Sequence, residues 1–329
     1  MSGRNVAVAI AVLALVAVPY AITEIYYVNI ASQILLYAVF ALGMSVLVGY
    51  AGLVSLGHAG LFGVASYAVA YLLAGGFGHA VAILAALAIA LLVTAGFAAL
   101  SLRATGISFI MITLALGEIL WGLAYRWISV TNGDNGINVA TRPVPFGLSL
   151  ASARGFYGAT LVVFLLAVAA VAIFARSPLG AALCGTRDQP RRMTALGYHV
   201  WMIRFWAFMF SGLLTSVAGI LFVYYNQFIS PQAVALAASA EGLLMVISGG
   251  AGTLLGPVVG AALVVIMKNV ASAYVERWNF LLGAIFVAIV VFMPEGLVPG
   301  AVRLTRAAWR ALRRPKTTAA PMSLAEPKP

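Results

Sequence analysis

Charge is what this chain has least of. Only 8% of its 329 residues are Asp, Glu, Lys or Arg, where an ordinary globular chain carries about a quarter. From residue 25 to residue 102 there is none at all. Such a chain is not built as a soluble domain. Its apolar runs hold several stretches of the ~20 residues that a helical membrane span requires. The period-two alternation of a membrane β-barrel is missing. The expected class is therefore an all-α polytopic membrane bundle with about 8–10 transmembrane helices. The membrane domain is expected over residues 1–300, with a basic amphipathic helix and a disordered cytoplasmic tail over 301–329.

Other absences narrow the chemistry. The single cysteine, Cys184, excludes an intramolecular disulfide and a cysteine-based metal cluster. His58, His79 and His199 lie far apart, with no metal-ligand spacing and no paired carboxylates beside them, so no catalytic or metal site is expected. There is no Gly-x-x-x-x-Gly-Lys-Ser/Thr run to cradle a nucleotide. The chain is expected to hold no cofactor, and any ATP it depends on must be bound by another chain. An integral-membrane enzyme is disfavoured on the same grounds.

The net charge of +11 points to membrane topology rather than to nucleic acid, because basic residues collect on the cytoplasmic side. Most of them fall in Arg176–Arg204 and in the C-terminal tail. The first segment, RSPLGAALCGTRDQPRRMTALGYHVWMIR, is the one long polar interruption between two apolar blocks. Pro178 suits a helix start, Pro190 begins a new turn, and Gly185 and Gly197 are candidate stops. It reads as two short helices lying on a membrane surface. With this segment in the cytoplasm and the spans alternating, only Arg126, Arg142, Arg154, Lys268 and Arg277 fall outside, and both termini are cytoplasmic if Glu241–Ser248 belongs to a crossing. The tail, with Arg303, Arg306, Arg310 and Arg313 at helical spacing, reads as an interfacial helix on anionic lipid.

Spans are expected over about Val6–Ile22, Ile30–Val48, Leu61–Ala74, Ala80–Leu102, Gly106–Trp127, Phe156–Ala175 and Phe205–Tyr225. Glu241–Ser248 is too short to cross alone; Pro257–Val270 and Trp278–Met293 are two further helices. Two glycine-rich stretches interrupt the pattern, Gly49–Gly60 and Gly249–Gly260. Gly49, Gly52 and Gly60 recur as Gly249, Gly252 and Gly260 at the same offsets, a weak internal repeat. Irregular backbone at such depth survives only when buried in protein or lining a cavity.

Ionisable groups inside apolar spans are functional candidates. His58, in Ser55-Leu-Gly57-His58, reads either as a histidine bonded to backbone freed by the broken helix or as part of a substrate path. Glu118, between Gly117 and Gly122, reads as a buried carboxylate in a packing hydrogen bond or lining a cavity. Glu241 suits the N-terminus of the broken segment electrostatically. Lys268 reads as a residue snorkelling to the outer interface. Thr131-Asn132-Gly133-Asp-Asn-Gly136 reads as a turn or as an outer contact for a delivered substrate. The basic double helix reads as a docking surface or as a solvated loop.

In order, these pieces resemble the inner-membrane permeases of branched-chain amino-acid ABC transporters, a family that includes urea and short-amide permeases. The resemblance runs from about Ile30 to Pro299. It rests on Gly52-Leu-Val-Ser55-Leu-Gly57-His58-Ala-Gly60, on Thr113-Leu-Ala with Glu118, and on Thr131-Asn132-Gly133 with Gly136. It also rests on Ser177-Pro178 with Gly180, Arg187-Asp188, Ala195-Leu196-Gly197, Gly249-Gly250-Ala-Gly252 with Gly256-Pro257, and Pro294 with Gly296-Leu297. The family usually has a basic residue near Cys184, an acidic one at Pro190 and a glycine at Asn132.

What the resemblance implies is a permease subunit of an ABC importer in a bacterial inner membrane. It would pair with a homologous second permease, two ATP-binding subunits that carry ATP and Mg, and a periplasmic or extracellular solute-binding protein. Ser177, Pro178, Gly180, Arg187, Asp188, Arg191, Ala195, Leu196 and Gly197 would couple the ATPases to the helices. Ser55, Gly57, His58, Gly60, Glu118, Asn132, Gly133, Gly249, Gly250, Gly252 and Gly256 would line or gate the path. Membrane lipid is an expected contact and nucleic acid is not. The substrate stays open among leucine-like amino acids, urea, amides and small aromatic acids. An ATP-independent channel or facilitator for a small polar solute needs the same helix breaks but no docking surface.

Overall fold

The computed structural model describes residues 24–139, 152–271, 278–293 and 295–301, with isolated positions 13, 15–17, 19 and 303. Most of the first expected span lies outside the described residues. So do Arg4, the loop with Arg142, Pro143 and Pro145, Arg277, Pro294, and the tail from Leu304 onward.

The described chain is an all-α polytopic bundle. In chain order it runs α1 (Ile25–Ser45), continued by a π-helical turn (Val46–Ala51), then α2 (His58–Ala74), α3 (His79–Ser101) and α4 (Ile107–Arg126). After an irregular segment come α5 (Ala153–Arg176), α6 (Pro178–Asp188), α7 (Pro190–Ala195) and α8 (Val200–Asn226). The last elements are α9 (Leu236–Gly249), α10 (Gly256–Ile266) with a π-helical turn (Met267–Ala271), and α11 (Trp278–Phe292). Among the described residues five helices are long and apolar enough to cross a membrane: α1 with its π turn, α3, α4, α5 and α8.

Burial sorts these helices into a centre and a rim. α1 and α8 form the centre, packed on each other, with α2 and α3 against α8 and α5 and α10 against α1. α3, α4 and α5 bury only a minority of their surface. Leu84, Leu92, Met111 and Ile173 stand exposed on them, as expected of helices whose outer faces meet acyl chains or other subunits. Small residues set the approach: Ala82, Ala86 and Ala90 are fully buried along one face of α3. That is the small-residue spacing that lets membrane helices pack closely where no water drives them together. Buried Ser32, Ser66, Thr94, Ser101, Thr160 and Ser216 each donate to the carbonyl four residues back, so none presents a bare hydroxyl to the apolar interior.

Two ends of the bundle are distinct. One carries the basic helices α6 and α7. At the other, Ile137–Asn138 (β1) pairs antiparallel with Phe228–Ile229 (β2), tying the segment after α4 to the segment after α8. The sequence pattern gave no hint of this pairing, since strands of two residues carry no periodicity. The expected stop at Gly185 is corrected: α6 runs on to Asp188, and Gly185 instead leaves room for the Met193 side chain of α7. α8 starts five residues before the expected Phe205, because His199 caps it, Nδ1 accepting from Met202 N at 3.4 Å.

Candidate functional site

The two glycine-rich breaks meet at the basic end. The π turn Val46–Ala51 ends on Gly52 in the left-handed region (φ 68°), and the chain then runs without helix to Gly57. α9 ends at Gly249, Gly250 (φ 117°) and Gly252 (φ 83°) turn the chain, and Pro257 sits in the first turn of α10. Gly49 lies directly against the backbone of Gly252. Within the second break Gly249 touches the Gly256 carbonyl, and Gly260 touches the Met245 carbonyl. A Cβ at Gly49, Gly249 or Gly260 strikes main chain. Thr253 Oγ1 accepts from Gly256 N, the first residue of α10, at 3.0 Å. Gly296 (φ 92°) and Pro299 close over Gly250.

The basic segment reaches into this junction. Ser177 caps α6 by accepting from Gly180 N at 3.1 Å, with Pro178 in the first turn. Gly180 sits tight against the Phe174 and Ala175 carbonyls, which lets α6 fold back on the end of α5. At the far end of α6, Arg187 Nη1 donates to the Gly49 carbonyl oxygen at 2.7 Å, while its Nε pairs with Asp188 at 2.9 Å. Arg204 of α8 donates to the Thr186 carbonyl oxygen at 2.7 Å. Arg191, Ala195, Leu196 and Gly197 (φ 87°) remain exposed. Between α6 and α7 lies an open cleft lined by Gly185, Asp188, Gln189, Arg192, Met193 and Leu196.

His58 is fully buried at the start of α2. Its Nε2 lies 2.9 Å from Ser211 Oγ, and Ser211 donates to the Gly43 carbonyl oxygen at 2.6 Å. The Ser211 proton is thus committed, so Nε2 carries the hydrogen and donates. Nδ1 then accepts from Ser55 Oγ at 2.9 Å, and Ser55 accepts in turn from Gly57 N at 3.4 Å. The result is one continuous chain of bonds joining the break to α8 and α1, with both imidazole nitrogens satisfied. Beside it, Gly57 touches the Thr113 carbonyl, Gly60 meets Leu120, and Gly117 meets Gly57. Leu56 N donates to Thr113 Oγ1 at 3.3 Å. The first break is therefore packed on α4.

Glu118 is not brought into this cluster. It is exposed on the outward side of α4, which corrects the expectation of a buried carboxylate. Gly117, one residue away, does pack closely, but α4 turns the neighbouring side chain the other way. Asn132 (φ 60°), Gly133 (φ 60°) and Gly136 (φ 68°) form a left-handed turn, with Asn132 Nδ2 donating to the Gly136 carbonyl oxygen at 3.0 Å. Gly136 fits against the Ile229 carbonyl of β2.

One arrangement was not visible in the sequence. Glu241 of α9 and Lys268 of the second π turn form an ion pair, Nζ lying 3.3 and 3.2 Å from the two carboxylate oxygens. Lys268 therefore turns inward, not outward to the interface. The pair lines a cavity of about 240 Å³ together with Tyr37, Phe40, Ala59, Phe62, Phe222, Ser230 and Gln232. Twenty-seven residues separate the two charges, too far for any local spacing rule. Close by, Ser239 accepts from Ala59 N at 2.9 Å, so the amino end of α2 already has a partner. Among the described residues no group of three His, Cys, Asp or Glu is placed to hold a metal ion.

The family described as branched-chain amino acid transport system, permease component, matches residues 26–290. The chain is 31% identical over 298 residues to the high-affinity branched-chain amino acid transport system permease protein LivM of Escherichia coli (strain K12). That match covers 83% of this chain and 70% of the relative. It is 29% identical over 301 residues, with the same coverage, to LivM of Salmonella typhimurium. It is 29% identical over 185 residues to the autoinducer 2 import system permease protein LsrC of Salmonella typhi, 53% of this chain and 51% of that one. No solved structure matches it significantly.

Proposed function

The chain belongs to the family of branched-chain amino acid transport permease components, and on that premise we propose that it is one membrane-spanning subunit of an ATP-driven importer of branched-chain amino acids. The ATPases are separate chains. They dock on the cleft between α6 and α7, in the cytoplasm, and both termini share that side. A second, homologous permease completes the path, and a soluble binding protein delivers substrate at the β1–β2 end. The membrane is the bacterial inner membrane.

The observation that carries this reading is the bond from Arg187 to Gly49. A surface helix that only held topology needs no bond into a broken membrane helix. Here the exposed end of α6 grips the carbonyl of the first break, and that break abuts the second. Movement imposed on α6 from outside therefore reaches both breaks through one contact each. Glu118 supports the second permease. A carboxylate on a membrane helix faces protein or water, not acyl chains, so the α4 face that bears it is covered by another chain or opens on an aqueous path.

The experiment is a mild-detergent pull-down of the tagged chain from its native membrane, with partners identified by mass spectrometry. Recovery of a P-loop ATPase and a second permease is expected, and leucine uptake into proteoliposomes should require ATP. A stable chain that yields no ATPase across several detergents and with crosslinking would instead favour an ATP-independent facilitator.

A further inference from the structure

We propose that the cavity between α1, α2, α8 and α9 is a binding site for a small zwitterion with an apolar side chain. Glu241 takes its ammonium group and Lys268 its carboxylate. The inference rests on the reading of the chain as an amino-acid permease and adds a site to it.

Three features of the cavity converge. The first is a pair of opposite charges held in a membrane bundle, on walls that are otherwise mostly aromatic and small. Their side chains are 37% (Lys268) and 23% (Glu241) exposed, so a small solute entering the cavity reaches both charges. A zwitterion inserted between them sets its ammonium against Glu241 and its carboxylate against Lys268. The pair is also loose: 3.2 and 3.3 Å exceed the roughly 2.7–2.9 Å of a tight charge-assisted bond. Opening it sacrifices little geometry.

The second feature is the aromatic wall. Phe40, Phe62 and Phe222 stand edge to face, with ring centroids 5.3 Å apart for Phe40 and Phe62 and 5.2 Å apart for Phe62 and Phe222. They offer an apolar surface beside the charges, as an aliphatic side chain requires. The volume of about 240 Å³ lies below the ~300–1,000 Å³ of sites for drug-sized ligands, which limits the guest to a small solute.

The third is the backbone under Lys268. It lies in a π-helical turn, Met267–Ala271, a geometry that is rare and recurs at functional sites. Lys268 meets Glu241 from within that turn. Asn269 of the same turn is fixed by a bond to Gln33 at 2.8 Å, so the turn is anchored on α1.

The test uses the native complex reconstituted in nanodiscs without the solute-binding protein. Equilibrium binding of radiolabelled leucine is compared with that of leucinamide, which lacks the carboxylate, and 4-methylpentanoate, which lacks the ammonium group. Glu241→Gln and Lys268→Met are each expected to weaken leucine binding on the order of tenfold or more. Lys268→Met should not weaken leucinamide binding, and Glu241→Gln should not weaken 4-methylpentanoate binding, because each change frees the remaining charge from its competitor. Leucine failing to bind the wild-type complex would overturn the proposal. So would equal losses for all three ligands, or variants that destabilise the complex yet bind leucine normally, the mark of a purely structural tie between α9 and α10. Leucine transport that persists while binding ignores both substitutions would sink the site alone. Binding as expected without ATP-driven transport would sink the importer reading alone.

Discussion

Arg187 Nη1 donates to the Gly49 carbonyl oxygen at 2.7 Å, and the aliphatic stem of the same side chain lies over Gly52. A π turn leaves carbonyls that its own backbone does not reach, and here an arginine from a different surface helix supplies the donor. This contact joins the exposed end of α6 to the first glycine-rich break.

Arg187→Ala removes both the bond and the stem. A hydrogen bond to a charged donor is worth about 1.5–3 kcal/mol, so the break loosens while the bundle stays folded. Leucine uptake should fall at least tenfold while the ATPases still co-purify and hydrolyse ATP. Uptake assayed beside hydrolysis in proteoliposomes checks this. Unchanged uptake would show that the contact transmits nothing. Arg187→Lys, which keeps charge and reach but not the forked donor, should be intermediate.

The glycine contacts at the second break set a steric limit. Gly249→Ala and Gly260→Ala place a methyl group against the Gly256 and Met245 carbonyls. Each should destabilise the chain by at least about 1–3 kcal/mol, seen as a lower thermal unfolding midpoint in detergent. Gly122→Ala is the matched control, because nothing lies within 4 Å of a Cβ there, and its midpoint should stay at the wild-type value or rise slightly.

Replacing His58 breaks the chain of bonds from Gly57 to Gly43. His58→Leu leaves the buried Ser55 hydroxyl without its acceptor and takes from Ser211 the bond it accepts, while Ser211 still donates to Gly43, for a loss of about 1–3 kcal/mol. If the chain of bonds is the reason for the histidine, adding Ser211→Ala to that variant should cost less than Ser211→Ala alone, by the worth of the His58–Ser211 bond, while the cost of the lost Gly43 bond remains. A double-mutant cycle on unfolding reads the difference; fully additive losses would mean that the two residues act independently.

Glu118 faces away from the fold. Glu118→Gln should change the stability of the isolated chain by no more than about 0.5 kcal/mol yet reduce uptake. A photo-crosslinking residue at position 118 should capture the second permease chain, while one at buried Ala86 should not. Crosslinks to lipid alone would place α4 against the bilayer and remove the argument for a covered face.

The spans were legible because apolar length is a strong signal: α3 and α4 begin and end within one residue of the expected bounds. The basic double helix was legible from its two prolines. Less legible was anything that depends on which way a side chain points. Glu118 sits next to a tightly packed glycine, which suggested burial, but one step along a helix is about 100° of rotation and carried it outside. Glu241 and Lys268 were each read alone, one as a favourable charge at a helix start and the other as a snorkelling lysine. Lys268 pairs from within a π turn, and a single inserted residue in a helical register leaves no mark in composition or period. The β1–β2 ladder escaped for a related reason: its two partners lie some 90 residues apart and are too short to alternate.

The contact of Gly49 with Gly252 has a genetic consequence. What a side chain at position 49 would strike is the backbone nitrogen and Cα of residue 252, which are the same in every amino acid. No substitution at 252 can make room for it, however small. Revertants of a Gly49 variant should therefore never map to its direct neighbour. They should map to residues whose change lets α1 or α9 slide as a unit, so that suppressor mutations trace the joints of the molecule rather than its points of touch.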